Sequence, residues 1–441
     1  MTAITETAQG RHSLIFDTPQ GRFLFLTHAS RLYEVGEWPG NEIKQYVVGE
    51  LPESDLLEVL GLSESDMRFP QTILETPLRA LSLNVAQSCN LACRYCYADE
   101  GKFGGRARMM DRSTAERAVN MLISGTEKGE RLLVGFMGGE PMLNRKLVRH
   151  ITDYALARAG VQGVDLRFSI TTNATLLIDD DVAMFRDNPY AVQISIDGGK
   201  AVNDASRPMH NGRGSFALVE QAIERFERLG RPRSLSGRAT VLPGTRDLAE
   251  RLDALIDLGF DDVGFAPVLS SPNPQFEFSV DELHVFTQQM IECGTKALAQ
   301  LLEGKEYPFS NFHTALREIH LGSHRPRSCG AGESYMSVDS DGGLFACHRL
   351  VGDESFRMGD LDNGVDHRLR RNHISTSHVD LQEPCRDCWA RYLCGGGCHH
   401  EVSKRGRVAC DFIRDWLTFC LGAYLQVQDE RPDYFGSRGH N

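Results

Sequence analysis

Cys89-Asn90-Leu91-Ala92-Cys93-Arg94-Tyr95-Cys96 sets three thiols in a C-x3-C-x2-C spacing, two residues after the apolar run Leu81–Ala86. An apolar run that stops at a cysteine-bearing turn reads as a strand feeding a metal-binding loop. Zinc prefers paired C-x2-C knuckles and a fourth protein ligand. A four-iron cluster is held by thiolates, one to each iron. Three in one short loop therefore leave one iron open to something that is not protein. A second run, Cys385-x2-Cys388-x5-Cys394-x3-Cys398, lies near the other end, with Cys329 and Cys347 before it and Cys410 and Cys420 after it.

Working outward from the first loop, the chain repeats an apolar run followed by a helical pattern. The runs are Leu81–Ala86, Leu132–Met137, Leu166–Thr172, Val192–Ile196, Arg238–Leu242 and Val263–Pro267. Amphipathic stretches such as Ser113–Ile123, Lys146–Ala159, Phe216–Leu229 and Leu248–Leu258 lie between them. This alternation predicts parallel strands with crossover helices, an α/β partial (β/α)6 barrel of the TIM type. The unusual residues fall at the strand ends: Cys89, Gly138-Gly139-Glu140-Pro141, Thr171-Thr172-Asn173, Ser195-Ile196-Asp197 and Pro267. In βα barrels that rim carries the active site. The expected domains are residues 1–75, a small α+β module; 76–310, the barrel; and 311–441, a cysteine-rich domain. In the N-terminal module, strands are expected at His12–Phe16 and Arg22–Leu26 and a helix from Glu53 to Leu60. An edge strand such as Arg22–Leu26 would suit pairing with an extended peptide; a structural cap on the barrel is the other reading.

The 441 residues carry 60 acidic against 48 basic side chains, a net charge of −12. That balance argues against a nucleic-acid surface. No apolar run approaches the roughly 20 residues that cross a bilayer. The polar opening MTAITETAQG lacks a secretory pattern, so a cytoplasmic protein is expected. Twelve cysteines in such a chain read as metal ligands before disulfides. Cys293 reads as a buried core thiol. Beyond Cys329 the apolar periodicity fades, so metal is expected to hold that region together.

The Cys89–Cys96 motif matches that of the radical S-adenosylmethionine (SAM) superfamily, and the chain resembles that family. The resemblance implies a [4Fe–4S] cluster on Cys89, Cys93 and Cys96 whose open iron binds SAM, and a 5′-deoxyadenosyl radical that takes a substrate hydrogen. It also implies that Tyr95 packs near the adenine. The segment Gly138, Gly139, Glu140 and Pro141 would meet the SAM ammonium; Asn173, Ser195, Asp197 and Arg207 would serve the remaining SAM groups.

The C-terminal cysteines resemble the SPASM extension, which holds two auxiliary [4Fe–4S] clusters, three in all. Carried over, Cys385, Cys388, Cys394 and Cys410 bind the distal cluster, with Cys420 as core or a substitute ligand. Cys329, Cys347 and Cys398 bind the near one. Some relatives place a further cysteine where Tyr335 stands, so the near cluster is expected to keep an iron open to a peptide thiolate, to Tyr335 or to solvent. His348 stands where sulfatase-activating relatives carry an Asp base and is the candidate proton acceptor. The phrases Ala98–Gly105, Val202–Asp204, Arg207–Phe216 and Cys347–Asp353 resemble maturases that install thioether bridges in peptides, including the quinohemoprotein amine dehydrogenase type. The implied partners are a Cys-containing peptide or small protein and a flavodoxin- or ferredoxin-type reductant. Carbon–carbon or cyclophane crosslinking and formylglycine formation are alternatives within the class. A zinc-stapled peptide-binding protein without SAM cleavage is the alternative outside it.

Overall fold

The computed structural model describes residues 7–9, 12–35, 45, 55 and 76–437. The expected helix from Glu53 to Leu60 lies outside them, apart from Asp55. The chain forms two compact units that do not follow chain order. One holds residues 75–279 and 330–374, here the barrel unit; the other, residues 1–74, 280–329 and 375–441, is the cysteine-rich unit.

In the cysteine-rich unit, β1 (Thr7–Gln9), β2 (Ser13–Thr18), β3 (Gly21–Leu26) and β4 (Arg31–Glu34) form an antiparallel sheet in chain order. The expectation of a free edge at Arg22–Leu26 is corrected here. β3 pairs with β2 on one side and β4 on the other, so its backbone groups are spent. The alternation that marks a strand does not say which neighbours it has. Phe25 meets the Trp389 ring edge-on at 5.9 Å, and the Thr27 hydroxyl donates to the Trp389 carbonyl at 2.8 Å. The long helices Val280–Leu302 and Cys410–Glu430 also pack together here. A Cβ on Gly294 would stand 2.5 Å from the Phe419 ring, so the glycine lets the two helices approach.

The barrel unit contains β5 (Ala80–Gln87), β6 (Arg108–Met109), β7 (Arg131–Gly138), β8 (Asp165–Thr172), β9 (Tyr190–Ser195), β10 (Ser234–Val241) and β11 (Asp262–Pro267), then β12 (Tyr335–Val338), β13 (Gly343–Phe345), β14 (Arg357–Asp360) and β15 (Gly364–Val365). The sheet order is β11-β10-β9-β8-β7-β5-β12-β13-β14-β15, with β6 on β5. Strands β5 and β7–β11 are mutually parallel, the six expected strands each within a few residues of their apolar runs. β12 adds a parallel partner on the other edge of β5, and the sheet then turns antiparallel. The short helix Asp179–Asp187 was not expected; its opening Asp179-Asp180-Asp181 masks the apolar face of Val182 and Phe185.

Side chains alternate along these strands. Leu166, Phe168 and Ile170 on β8, and Leu235, Ala239 and Val241 on β10, are buried. Their neighbours Arg167, Ser169, Thr171, Ser236, Arg238 and Thr240 are half-exposed. One face of the sheet is thus an apolar seat for the helices, and the other is polar.

Candidate active site and cysteine clusters

The loop leaving β5 is held by protein groups on both flanks. The Leu91 N–H donates to Cys89 Sγ at 3.4 Å. On one side the Asn173 side-chain amide, just past β8, donates to Cys89 Sγ at 3.8 Å and to Asn90 Oδ1 at 3.0 Å. On the other, Ala92 N–H donates to the Pro208 carbonyl at 2.8 Å and Arg94 N–H to the Ser206 carbonyl at 3.3 Å. Burial pushes the Cys89 thiol up to about 12 and the Cys93 thiol up to about 11. Both therefore favour the neutral thiol, and a metal would be needed to hold the thiolate form.

The end of β7 lies flush against the start of this loop. Gly138 has φ +137°, and a Cβ there would stand 2.3 Å from the Ala86 carbonyl oxygen; one on Gly139 would stand 2.3 Å from that of Ser88. Only glycine permits that approach, which places Gly139 N–H on Ala86 O at 2.8 Å and Glu140 N–H on Ser88 O at 2.9 Å. Glu140 has no exposed surface. It accepts from Met142 N–H at 3.0 Å, Thr172 Oγ1 at 2.7 Å and Asn173 N–H at 2.7 Å. Burial raises its pKa while those donors act against the shift. The carboxylate thus rivets the end of β7 to the end of β8, and the half-exposed groups of the segment are Gly138 and Gly139. Pro141 opens the short 3₁₀ turn that Glu140 caps.

At the end of β9, Ser195 is half-exposed and pairs with Arg238 on β10. Asp197 is buried and fully committed. It accepts from Tyr95 OH at 2.7 Å, Ser206 Oγ at 2.6 Å and Thr240 N–H at 3.1 Å. Arg207 donates from Nη1 to Tyr95 OH at 2.6 Å and lies 3.7 Å from Asp197 Oδ1. Its charge also acts on Cys93, drawing that thiol back toward ionisation.

Cys347 lies in the same unit, on the turn after β13. His348 Nδ1 is 3.0 Å from Tyr335 OH and 3.8 Å from Cys347 Sγ, and Tyr335 OH is 2.7 Å from Ser82 Oγ on β5. Burial holds His348 neutral, down to about 4. The Arg349 guanidinium sits 4.9 Å over the Tyr97 ring, one residue past Cys96. A Cβ on Gly352 would stand 2.8 Å from the Phe103 carbonyl oxygen. The expected phrases 98–105 and 347–353 therefore pack against each other.

In the cysteine-rich unit, Cys385, Cys388, Cys394 and Cys410 lie close enough for their charges to act on one another. Burial raises Cys385 to about 11, and Arg407 opposes it. The Arg414 guanidinium and the Cys388 sulfur act on each other electrostatically. Gly395, Gly396 and Gly397 have φ of +70°, +88° and +81°, and the backbone N–H groups of Gly396 and Gly397 oppose the burial that pushes the Cys394 thiol up. Successive N–H groups in such a turn form an anion-binding nest. Sulfur donors ringed by N–H groups and two guanidiniums suit an anionic iron–sulfur cluster. Cys398 caps the helix His399–Arg405, Cys329 is exposed, and Cys293 and Cys420 are wholly buried in helices. Among the described residues no three or more His, Cys, Asp or Glu side chains are grouped so as to hold a single metal ion. Sequence reasoning missed the nest, Arg407 and Arg414, although the Gly-Gly-Gly run between two cysteines was a visible signal.

Residues 83–258 match the Radical SAM superfamily model. The serine-type anaerobic sulfatase-maturating enzyme of Klebsiella aerogenes is 24% identical over 347 residues, covering 75% of this chain and 82% of that protein. The mycofactocin maturase MftC of Mycolicibacterium smegmatis is 26% identical over 348 residues, covering 74% and 79%. The structure of anSMEcpe with bound AdoMet and Kp18Cys peptide superposes with a TM-score of 0.66 at 19% identity, covering 80% of this chain and 99% of that one. The chain is a radical SAM enzyme, with SAM and [4Fe–4S] clusters as its cofactors. It is related to the anaerobic sulfatase-maturating enzymes and shares their cysteine-rich C-terminal region. That sets aside the zinc-stapled binding protein. No helix among the described residues is long and apolar enough to cross a membrane.

Proposed function

We propose that this enzyme is a peptide maturase that joins a cysteine sulfur to a carbon of the same peptide. Support for peptide modification comes from its maturase relatives and from the peptide-bound anSMEcpe structure. The observation that carries the thioether reading is the packing of the Cys347–Gly352 turn on residues 97–103, directly past the first cysteine loop. It keeps Cys347, two residues before Arg349, close in sequence to a contact with Tyr97, which follows Cys96. When bound, the cluster of Cys89, Cys93 and Cys96 and its SAM supply the radical that removes one hydrogen from a substrate carbon. The chain's own residues do the rest. Asn173 and Arg207 brace the loop, and the polar faces of β8–β10 offer hydrogen bonds to a peptide backbone.

Cys329, Cys347 and Cys398 are the proposed ligands of the near cluster, and Cys385, Cys388, Cys394 and Cys410 those of the distal one, making three clusters. Tyr335 has its hydroxyl bonded to Ser82 and His348, which favours the peptide thiolate over the phenol at an open iron. His348, neutral in its buried setting, is the proton acceptor for that thiol. A flavodoxin or ferredoxin supplies the electrons.

The test incubates anaerobically reconstituted protein, SAM and dithionite with a cysteine-containing peptide encoded beside the gene. Loss of two hydrogens, with the cysteine blocked to alkylation, is the expected product. Loss of the sulfur with gain of an aldehyde would instead place the enzyme with the sulfatase-maturating relatives as a formylglycine former. Loss of two hydrogens with the cysteine still alkylable would indicate a carbon–carbon crosslink.

A further inference from the structure

The end of the Tyr95 side chain has a job separate from its ring. Its hydroxyl lies between a buried carboxylate and a buried guanidinium, donating to Asp197 at 2.7 Å and accepting from Arg207 Nη1 at 2.6 Å. Asp197 cannot easily turn away, because Ser206 Oγ and Thr240 N–H hold it from a helix and from β10. The phenol is thus fixed at one end by a carboxylate with three donors, and it fixes Arg207 at the other.

Arg207 is the incomplete member. Its side chain is only 11% exposed, yet its side-chain contacts all use Nη1; among the described residues Nε and Nη2 have no hydrogen-bond partner. A guanidinium stripped of most of its water with donors to spare calls for an anion. The edge left over is the Nε/Nη2 edge, a two-pronged donor that matches a carboxylate. Arg207 is held at the cysteine loop itself, because its Nη1 bonds the hydroxyl of Tyr95, the residue between Cys93 and Cys96 in that loop.

We infer that Tyr95 is a positioning residue: through its hydroxyl it turns the Nε/Nη2 edge of Arg207 toward the carboxylate of SAM. This rests on the radical SAM reading of the same rim. It assigns to Tyr95 a role in recognising the methionyl carboxylate, which an aromatic ring near the adenine would not have.

The test compares SAM with decarboxylated SAM, which keeps the sulfonium, amine and nucleoside but lacks the carboxylate. Equilibrium dialysis on the reconstituted, unreduced holoenzyme reads both affinities, alongside iron content and melting temperature. Tyr95→Phe keeps the ring and removes only the hydroxyl. It should weaken SAM about tenfold, the scale of one hydrogen bond to a charged group. Decarboxylated SAM should bind as before and iron content should not change, while the melting temperature falls by a few degrees because Asp197 and Arg207 each lose a buried partner. Equal weakening of both ligands, or of neither, would overturn the inference. If Tyr95→Phe fails to hold its iron, Asp197→Asn is the second variant; it keeps the shape and removes the charge that orients the phenol, with the same outcome expected. A wild-type holoenzyme that binds neither ligand would overturn the radical SAM reading itself, a result distinct from loss of discrimination in the variant.

Discussion

At the barrel rim, Cys89, Cys93 and Cys96 ride on a loop that other groups already hold: Asn173 on one flank, and the carbonyls of Ser206 and Pro208 on the other. In the cysteine-rich unit, Cys385, Cys388, Cys394 and Cys410 sit among short 3₁₀ turns, a four-residue helix and three left-handed glycines. Among the described residues the only other regular elements there are the seven-residue helix His399–Arg405 between Cys394 and Cys410 and the helix that begins at Cys410. The first site is a finished fold that receives a cluster. On the proposed ligand set, the second is a set of turns that the cluster would crosslink. On that proposal, cysteines of the same chemistry do different work, one set for reaction and the other for folding.

The largest effect should come from breaking one cysteine at each site. Cys388→Ser should lower stability by more than about 4 kcal/mol, the class of effect tied to losing a structural metal. It should also open residues 377–410 to protease. Cys93→Ser should leave the melting temperature near that of wild type while abolishing 5′-deoxyadenosine release and lowering the iron content. Thermal denaturation, proteolysis and iron analysis on the same preparations check both. A Cys93→Ser variant that also unfolds would erase the contrast.

The middle effect tests whether protein groups really hold the rim. Glu140, with no exposed surface, accepts three hydrogen bonds, two of which join the end of β7 to the end of β8. Glu140→Gln replaces one acceptor oxygen by an NH2 that faces a donor. The unsatisfied pair should cost about 1–3 kcal/mol, read as a shift of the urea midpoint. The distal cysteines should keep their iron, because nothing in their unit depends on Glu140.

The contrast also explains what the sequence could tell. The six barrel strands were legible because each carries an apolar run, and the rim because its odd residues all follow such runs. Legible too were the cysteines, whose spacing is local. What stayed hidden is long-range. The Tyr95–Asp197 bond spans 102 positions, and no local pattern announces it. The central place of β3 depends on β4, whose sequence Arg31-Leu32-Tyr33-Glu34 is too short to declare itself. The helix Val280–Leu302 follows the barrel in sequence yet packs on Cys410–Glu430, a partner that lies more than a hundred residues on. Glu140 was read from its motif as a ligand for an ammonium; its three internal donors became visible only once β8 was placed beside β7.

The smallest effect separates the charge of the distal site from its fold. The Arg414 charge acts on both Cys388 and Cys410. It lies on the helix that begins at Cys410, where its other partner is Asp411. Arg414→Gln keeps a donor of nearly the same reach and removes one positive charge. Since the partner pair is largely at the surface, stability should change by less than about 1 kcal/mol. The cluster's environment should respond more than the fold does, because reduction adds negative charge and a nearby cation favours the reduced form. The distal midpoint potential should fall by some tens of millivolts, measured by redox titration followed by electron paramagnetic resonance. The rim signal should not move. A potential that stays put while stability collapses would mean that Arg414 serves as a strut, and that this site too is held by protein groups rather than by iron.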